Sequence, residues 1–182
     1  VSDEEDWSAA VAGDGEAFGR IYDRHRDRVT RHSLRLVPTP ADADDVVAIT
    51  FMESWRRRDQ VRFVDNSVLP WLLVTATNAA RNLSRSARRY HALLARLPAT
   101  EPAPDHAERF DDNDAIAALR TLSAADQRVV ALCVLEGLSE REAAAALGVP
   151  PGTVKSRLSR AKRRLAERVP RPSFTLKEET ES

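Results

Sequence analysis

Residues 139–165, "SEREAAAALGVPPGTVKSRLSRAKRRL", restrict the fold more than any other stretch of the chain. Ser139 followed three residues later by Glu142 is a capping box, in which each side chain satisfies a backbone N–H at the start of a helix. The alanine-rich run behind it stops at Gly148, a residue that tolerates the left-handed backbone of a helix end. Val149 and Pro150 leave space for a tight turn only, and Pro151 suits the first turn of the next helix, where its missing N–H would have no partner anyway. Two helices so joined form a helix-turn-helix. At about 100° per residue, Val154, Leu158, Ala161 and Leu165 share one apolar stripe of the second helix, and its cations lie on the other side. The leading turns of such a helix enter a DNA groove most deeply, which makes Thr153, Lys155, Ser156, Ser159 and Arg160 candidates for base edges. Arg157, Arg163 and Arg164 are candidates for phosphates.

The rest of the chain also reads as helix, and the expected class is all-α. β-Branched residues are scattered, nothing alternates for long with period two, and Ala, Leu, Arg and Glu dominate. Thr39 with Pro40 and Asp42 marks one helix start; Ser123 with Asp126 marks another, in a helix that Gly137 stops. The prolines at 98, 102 and 104, set among acids, mark a linker. The 182 residues thus divide into a helical domain at 8–97, an acidic linker at 98–112, a second helical domain at 113–169 and a disordered polar tail at 170–182.

The formal charge is zero, with 28 basic and 28 acidic residues, but the charges are segregated. Asp3, Glu4, Glu5, Asp6, Asp14 and Glu16 have no basic residue among them, whereas Asn66–Thr100 holds five arginines and no acid, and Lys155–Arg164 is likewise purely basic. Two basic blocks with acidic spacers suggest two contacts with one polyanion, because attraction follows local potential and not the sum. In the first block Leu72, Ala76, Ala79, Leu83, Tyr90, Leu94 and Leu97 keep a helical period, and Asn78, Arg81, Arg85, Arg88 and Arg89 gather opposite them. Just before this helix, Asp65, Asn66 and Ser67 form a polar turn able to reach a base that has left its stack.

Other classes find less support. His25 and His32 are seven apart and could share a helix face, but no HExxH, Gly-rich phosphate loop or recognisable nucleophile accompanies them. No catalytic residue, cofactor or metal is expected. Cys133, the one cysteine, reads as a small buried hydrophobe. No apolar run approaches the roughly 20 residues of a membrane span, and the acidic N-terminus is unlike a secretory signal, so a cytoplasmic location is expected. A dimeric helix-turn-helix repressor or response-regulator output domain is the alternative function; a palindromic footprint formed by the chain alone would favour it.

Four stretches, in this order and spacing, resemble the sigma-70 family of RNA polymerase sigma factors, in its small two-domain extracytoplasmic-function (ECF) group: "AFGRIYDRHRDRV", "DADDVVAITFMESWRR", "PWLLVTATNAARNLSRSARR" and "LSAADQRVVALCVLEGLSEREAAAALGVPPGTVKSRLSRAKRRL". The resemblance implies that the chain binds core polymerase through its clamp coiled coil and flap, recognises minus-35 and minus-10 promoter elements and helps to melt the DNA. It places Asp44, Asp45, Val46 and Val47 at the main polymerase contact, with Ala48 and Ile49 where relatives usually carry polar residues. It makes residues 62–69 the loop that holds a flipped base of the minus-10 element, with Asn78, Arg81, Asn82 and Arg85 on the adjacent DNA. The 153–164 face would read the minus-35 element as duplex. An anti-sigma protein is a further implied partner.

Overall fold

The computed structural model describes residues 2–95 and 114–167. The described elements are helices, in the order α1 (Asp3–Val11), α2 (Gly15–Leu34), α3 (Pro40–Arg56), α4 (Leu69–Leu94), α5 (Asp114–Arg120), α6 (Ala124–Val130), α7 (Glu140–Leu147) and α8 (Pro151–Ala166). A short 3₁₀ turn at Arg58–Gln60 follows α3, and a π-helical turn, Ala131–Leu135, extends α6. Leu97, the 98–112 linker and the 170–182 tail lie outside the described residues.

Local chemistry accounts for the helix ends. Ser2 and Glu5 form a reciprocal capping box on α1, and the Asp14 carboxylate accepts from the Glu16 and Ala17 N–H groups at the start of α2. Thr39 caps α3 by accepting from Asp42 N–H at 3.1 Å, and its hydroxyl donates to the Asp42 carboxylate at 2.7 Å. Ser123 accepts from Asp126 N–H, and the Ser139–Glu142 box starts α7. Gly148 ends α7 with a left-handed φ of 65°. Because α8 begins at Pro151 without a side-chain cap, the turn expected from the sequence is in place.

Helices α1–α4 enclose one core, built around Trp7, Ile21, Val29, Val46, Phe51, Leu72 and Ala76. Phe18 is its aromatic hinge, meeting Trp7, Phe51 and Trp55 edge-on at 5.9, 6.5 and 5.2 Å. Helix α1 belongs to this unit: Trp7 donates to the Arg58 carbonyl at 3.2 Å, so the first unit begins at least five residues before the boundary expected at residue 8. A second core gathers Val129, Leu132, Ala143, Ala144, Ala146 and Val154, and it also takes in Val64 and Leu73. Helix α4 is therefore a wall common to both units, with Leu72 facing one way and Leu73 the other. In α8, Val154 and Ala161 are fully buried and Leu158 and Leu165 half-buried, the stripe the sequence predicts. Tyr90 departs from the expected apolar row, being 60% exposed near the end of α4.

Candidate nucleic-acid interface

Once α8 buries its stripe, Lys155, Ser156, Ser159, Arg160, Lys162, Arg163 and Arg164 are left exposed. Ser156 donates to the Thr153 carbonyl at 3.1 Å and Arg160 Nε to the Ser156 carbonyl at 3.3 Å, both within the helix. Arg164 lies 3.6 Å from Asp126. Thr153 and Arg157 are half-buried, and Arg157 lines a cleft with Trp71, Val74 and Asn78 of α4.

Two clefts between the units are lined by arginines. The first, of about 270 Å³, is lined by Arg81, Arg85 and Arg88 of α4 and by Arg120 of α5, with no carboxylate among its lining residues. Burial, and then Arg88, pull the Arg120 guanidinium below its usual range, and its Nε is buried without a hydrogen-bond partner. The second, of about 240 Å³, brings together Arg57, Arg62, Asn78, Arg128 and Arg157. Arg128 is lowered by burial, then by Arg157 and Arg81, and donates to Asn78 Oδ1 at 3.3 Å. Arg57 is paired with Glu53 at 2.5 Å, but the other guanidiniums gathered in the two clefts raise a local positive potential that a phosphate backbone neutralises. Asn78 and Arg81 are thus half-buried at these clefts, whereas Asn82, Arg85, Arg88 and Arg89 lie along α4 towards its more exposed end.

The turn before α4 is a two-residue reversal. Val64 N–H donates to Ser67 O at 2.9 Å and Ser67 N–H returns to Val64 O at 3.0 Å. Asp65 and Asn66 between them have φ of 49° and 59°, the left-handed pair that a type I′ turn requires and that Asp and Asn tolerate best. Both stand exposed at the tip. Ser67 differs: its hydroxyl donates to Asp3 at 3.0 Å and accepts from Leu69 N–H at 3.2 Å, so it serves the turn and the start of α4.

On α3 the structure divides the four expected polymerase-contact residues. Asp44 and Asp45 are exposed, but Val46 and Val47 are buried at 0% and 7%, because they share the inward face with Ala43, Thr50 and Phe51. Val46 belongs to the core, whereas Val47 also lines a groove between α2 and α3 with Tyr22, Thr30, Asp44 and Ala48. The exposed face of α3 continues instead through Ala48, Ile49 and Met52, the last 68% exposed. His25 and His32 each have carboxylate partners, Asp3 and Glu136, at 2.7 and 2.9 Å. Cys133 is half-buried beside the second core, and burial pushes its thiol up.

Sequence reasoning missed Arg57, Arg120 and Arg128, which lie outside the two basic blocks and join the clefts only through packing, and it placed Arg62 in the flipped-base loop but not in a cleft. It also missed Met52, whose single exposed position carries no periodic signal.

Comparison with known proteins agrees with this geometry. The family model described as Sigma-70 region 2 matches residues 21–90, and that of Sigma-70, region 4 matches residues 113–165. The ECF RNA polymerase sigma factor SigL of Mycobacterium tuberculosis is 32% identical over 162 residues, which cover 87% of this chain and 92% of SigL. BldN of Streptomyces coelicolor, also an ECF RNA polymerase sigma factor, is 32% identical over 88% of this chain, which spans 63% of BldN. The structure of CnrH in complex with the cytosolic domain of CnrY superposes with a TM-score of 0.59 at 27% identity, covering 91% of this chain and 95% of that one. Two helical units that share a wall, a basic helix-turn-helix and a polar turn ahead of an arginine-rich helix are thus the parts of a promoter-recognising subunit, and the chain belongs to the ECF group of sigma-70 family RNA polymerase sigma factors.

Proposed function

We propose that the two units read separate promoter elements, with residues up to 97 on the minus-10 element and core polymerase, 98–112 as the connection, and 113–169 on the minus-35 element. In this reading Thr153, Lys155, Ser156, Ser159 and Arg160 meet base edges, and Arg157, Arg163 and Arg164 meet phosphates. Asp65 and Asn66 receive a base that has left its stack, with Ser67 holding their turn in shape. Asn78, Arg81, Asn82, Arg85, Arg88 and Arg89 track the adjoining strand. Trapping an unstacked base offsets a cost of roughly a few kcal/mol, so melting can proceed without a separate energy source.

The observation that carries the reading is the pair of arginine-lined clefts to which α4 contributes Asn78, Arg81, Arg85 and Arg88 and α8 contributes Arg157, together with the exposed Asp65–Asn66 tip ahead of α4. Core polymerase meets the outer face of α3, where Asp44 and Asp45 are joined by Ala48, Ile49 and Met52. No catalytic step is assigned to the chain, and its place of work is the cytoplasm, with the polymerase. Among the described residues no helix is long and apolar enough to cross a membrane. An anti-sigma protein that covers α4 and α8 is proposed for this chain by analogy with the sigma factor RpoE of Bartonella quintana, seen in complex with the anti-sigma factor NepR.

Transcription in vitro from a bank of promoters, with core polymerase and this chain as the sole specificity subunit, tests the reading. Initiation from a defined subset sharing two elements is expected. A palindromic footprint by the chain alone, with no initiation, would favour the repressor alternative and overturn it. Shift assays should also show weak binding by the free chain, because Asn78 faces Arg128 while the units are together and each unit gains from the other only when polymerase holds both in register.

A further inference from the structure

The acidic start of the chain is wired to the recognition turn. Asp3, only 5% exposed, accepts through Oδ2 from Val68 N–H at 2.9 Å and from Ser67 Oγ at 3.0 Å, and His25 Nε2 lies 2.7 Å from the same oxygen. Its Oδ1 accepts from Arg24. Burial works to raise the Asp3 carboxyl, but the Val68 N–H, Arg24, His25 and Ser67 together hold it below the usual range. One carboxylate of α1 therefore joins α2, the turn and Val68, the residue just ahead of α4. The turn needs such an anchor, since Asp65 and Asn66 both hold a left-handed backbone that L-residues adopt only when their surroundings impose it.

We propose that Asp3 is a positioning residue for promoter melting: it clamps the Val64–Val68 turn so that the Asp65–Asn66 tip is already shaped to receive an unstacked base. A turn ordered before contact spends less of its binding energy on becoming ordered. The inference rests on the reading of that tip as a base-binding site. Asp3 itself, beneath the turn, need not touch DNA.

The molecule carries its own control. Asp6, fully buried one turn later on α1, ties α1 to α2 through Arg20 Nε at 2.8 Å and Arg24 at 2.6 Å without touching the turn. The test uses the full chain with core polymerase and a promoter fragment recovered from the bank, carrying 2-aminopurine at each minus-10 position in turn. Fluorescence reports unstacking, initiation rates on substituted minus-10 bases report discrimination, and thermal melting reports stability. Asp3→Asn should reduce discrimination and unstacking roughly tenfold, about the effect of one charge-assisted hydrogen bond. Asp6→Asn should lower the melting temperature comparably and leave discrimination unchanged. Ser67→Ala, which cuts the anchor from the turn side, should behave like Asp3→Asn, and Ser67→Thr should restore function.

Wild-type discrimination in Asp3→Asn, with Asn66→Ala impaired, would overturn the anchor while leaving the base-binding reading in place. Equal losses in Asp3→Asn and Asp6→Asn would reduce Asp3 to a fold-stabilising residue and also overturn it. If Asp65→Ala and Asn66→Ala are both silent, the base-binding reading falls and the anchor falls with it.

Discussion

Replacing Glu136 with Gln should loosen the contact between the two helical units without unfolding either. Glu136 follows the π turn in the second unit, its side chain is 4% exposed, and its side-chain partners lie on α2 and its C-terminal end in the first unit: Arg28 at 2.8 Å, His32 Nδ1 at 2.9 Å and Arg35 at 3.3 Å. Arg28 and Arg35 are about half exposed, so water screens them and each pair contributes roughly 0.5 kcal/mol or less. His32 is fully buried, and its Nε2 lies 3.0 Å from Thr77 Oγ1, whose hydrogen is donated to the Leu73 carbonyl. Nδ1 donates to the Glu136 carboxylate, which can only accept. A hydrogen bond to a buried charged group is worth about 1.5–3 kcal/mol. Glu136→Gln keeps the volume and one acceptor but loses the charge, for a cost of about 2 kcal/mol, or roughly a 30-fold rise in the ratio of parted to docked molecules. Val74, half-buried on α4 against the second core, reports that ratio when replaced by Cys in a Cys133→Ser background. Its thiol-labelling rate should rise about 30-fold in Glu136→Gln, and assembly with core polymerase should quicken. An unchanged labelling rate with a lowered melting temperature would refute the reasoning, because Glu136 would then stabilise its own unit only.

Stability should fall at acid pH. Although burial opposes it, hydrogen bonds hold Asp3, Asp6 and Glu136 below the usual carboxylate range in the folded chain, so their contribution is complete above the ordinary values of 3.8 and 4.5 and is lost as pH drops below them, which melting curves from neutral to strongly acid pH would follow. Gly148→Ala should cost about 1–2 kcal/mol in chemical denaturation, since a Cβ there adopts a left-handed backbone. The same Cβ would also meet the Arg62 guanidinium at 2.5 Å, forcing that side chain out of the second cleft. Arg160→Ala should lose about 1–3 kcal/mol of discrimination at one base pair of the minus-35 element in competition binding by holoenzyme; a uniform loss across sequences would make it a phosphate contact. Met52→Glu should weaken polymerase assembly in a pull-down with core enzyme while leaving the melting temperature near wild type, because the side chain is 68% exposed.

What is legible in the sequence is local. Capping residues, Gly148 and the prolines are read by the few backbone groups beside them, and so the ends of α7 and α8 and the apolar stripe of α8 can be placed from residues 139–165 alone. The π turn cannot, because Ala131–Leu135 has the composition of an ordinary buried helix, and only packing around it decides that one extra residue fits. Val46 and Val47 are drawn into the polymerase contact by their neighbours in the motif, although their own period with Ala43 and Thr50 points inward. The acids of α1 look unanswered in the sequence because Arg20 and Arg24, their partners, sit 14 to 21 residues away on a different helix. Each cleft likewise draws arginines from helices far apart in the chain, a convergence that no window of the sequence contains.

Because α4 lends Leu73, with Val64 just ahead of it, to the second core, parting the units wets a greasy strip on both sides. The subunit released from polymerase must reclose, find another protein to cover that strip, or stick to its own kind. Solubility and lifetime in the cell are in this way tied to the same helix proposed to grip the promoter, and a variant made permanently open for the sake of activity would be short-lived and prone to clump.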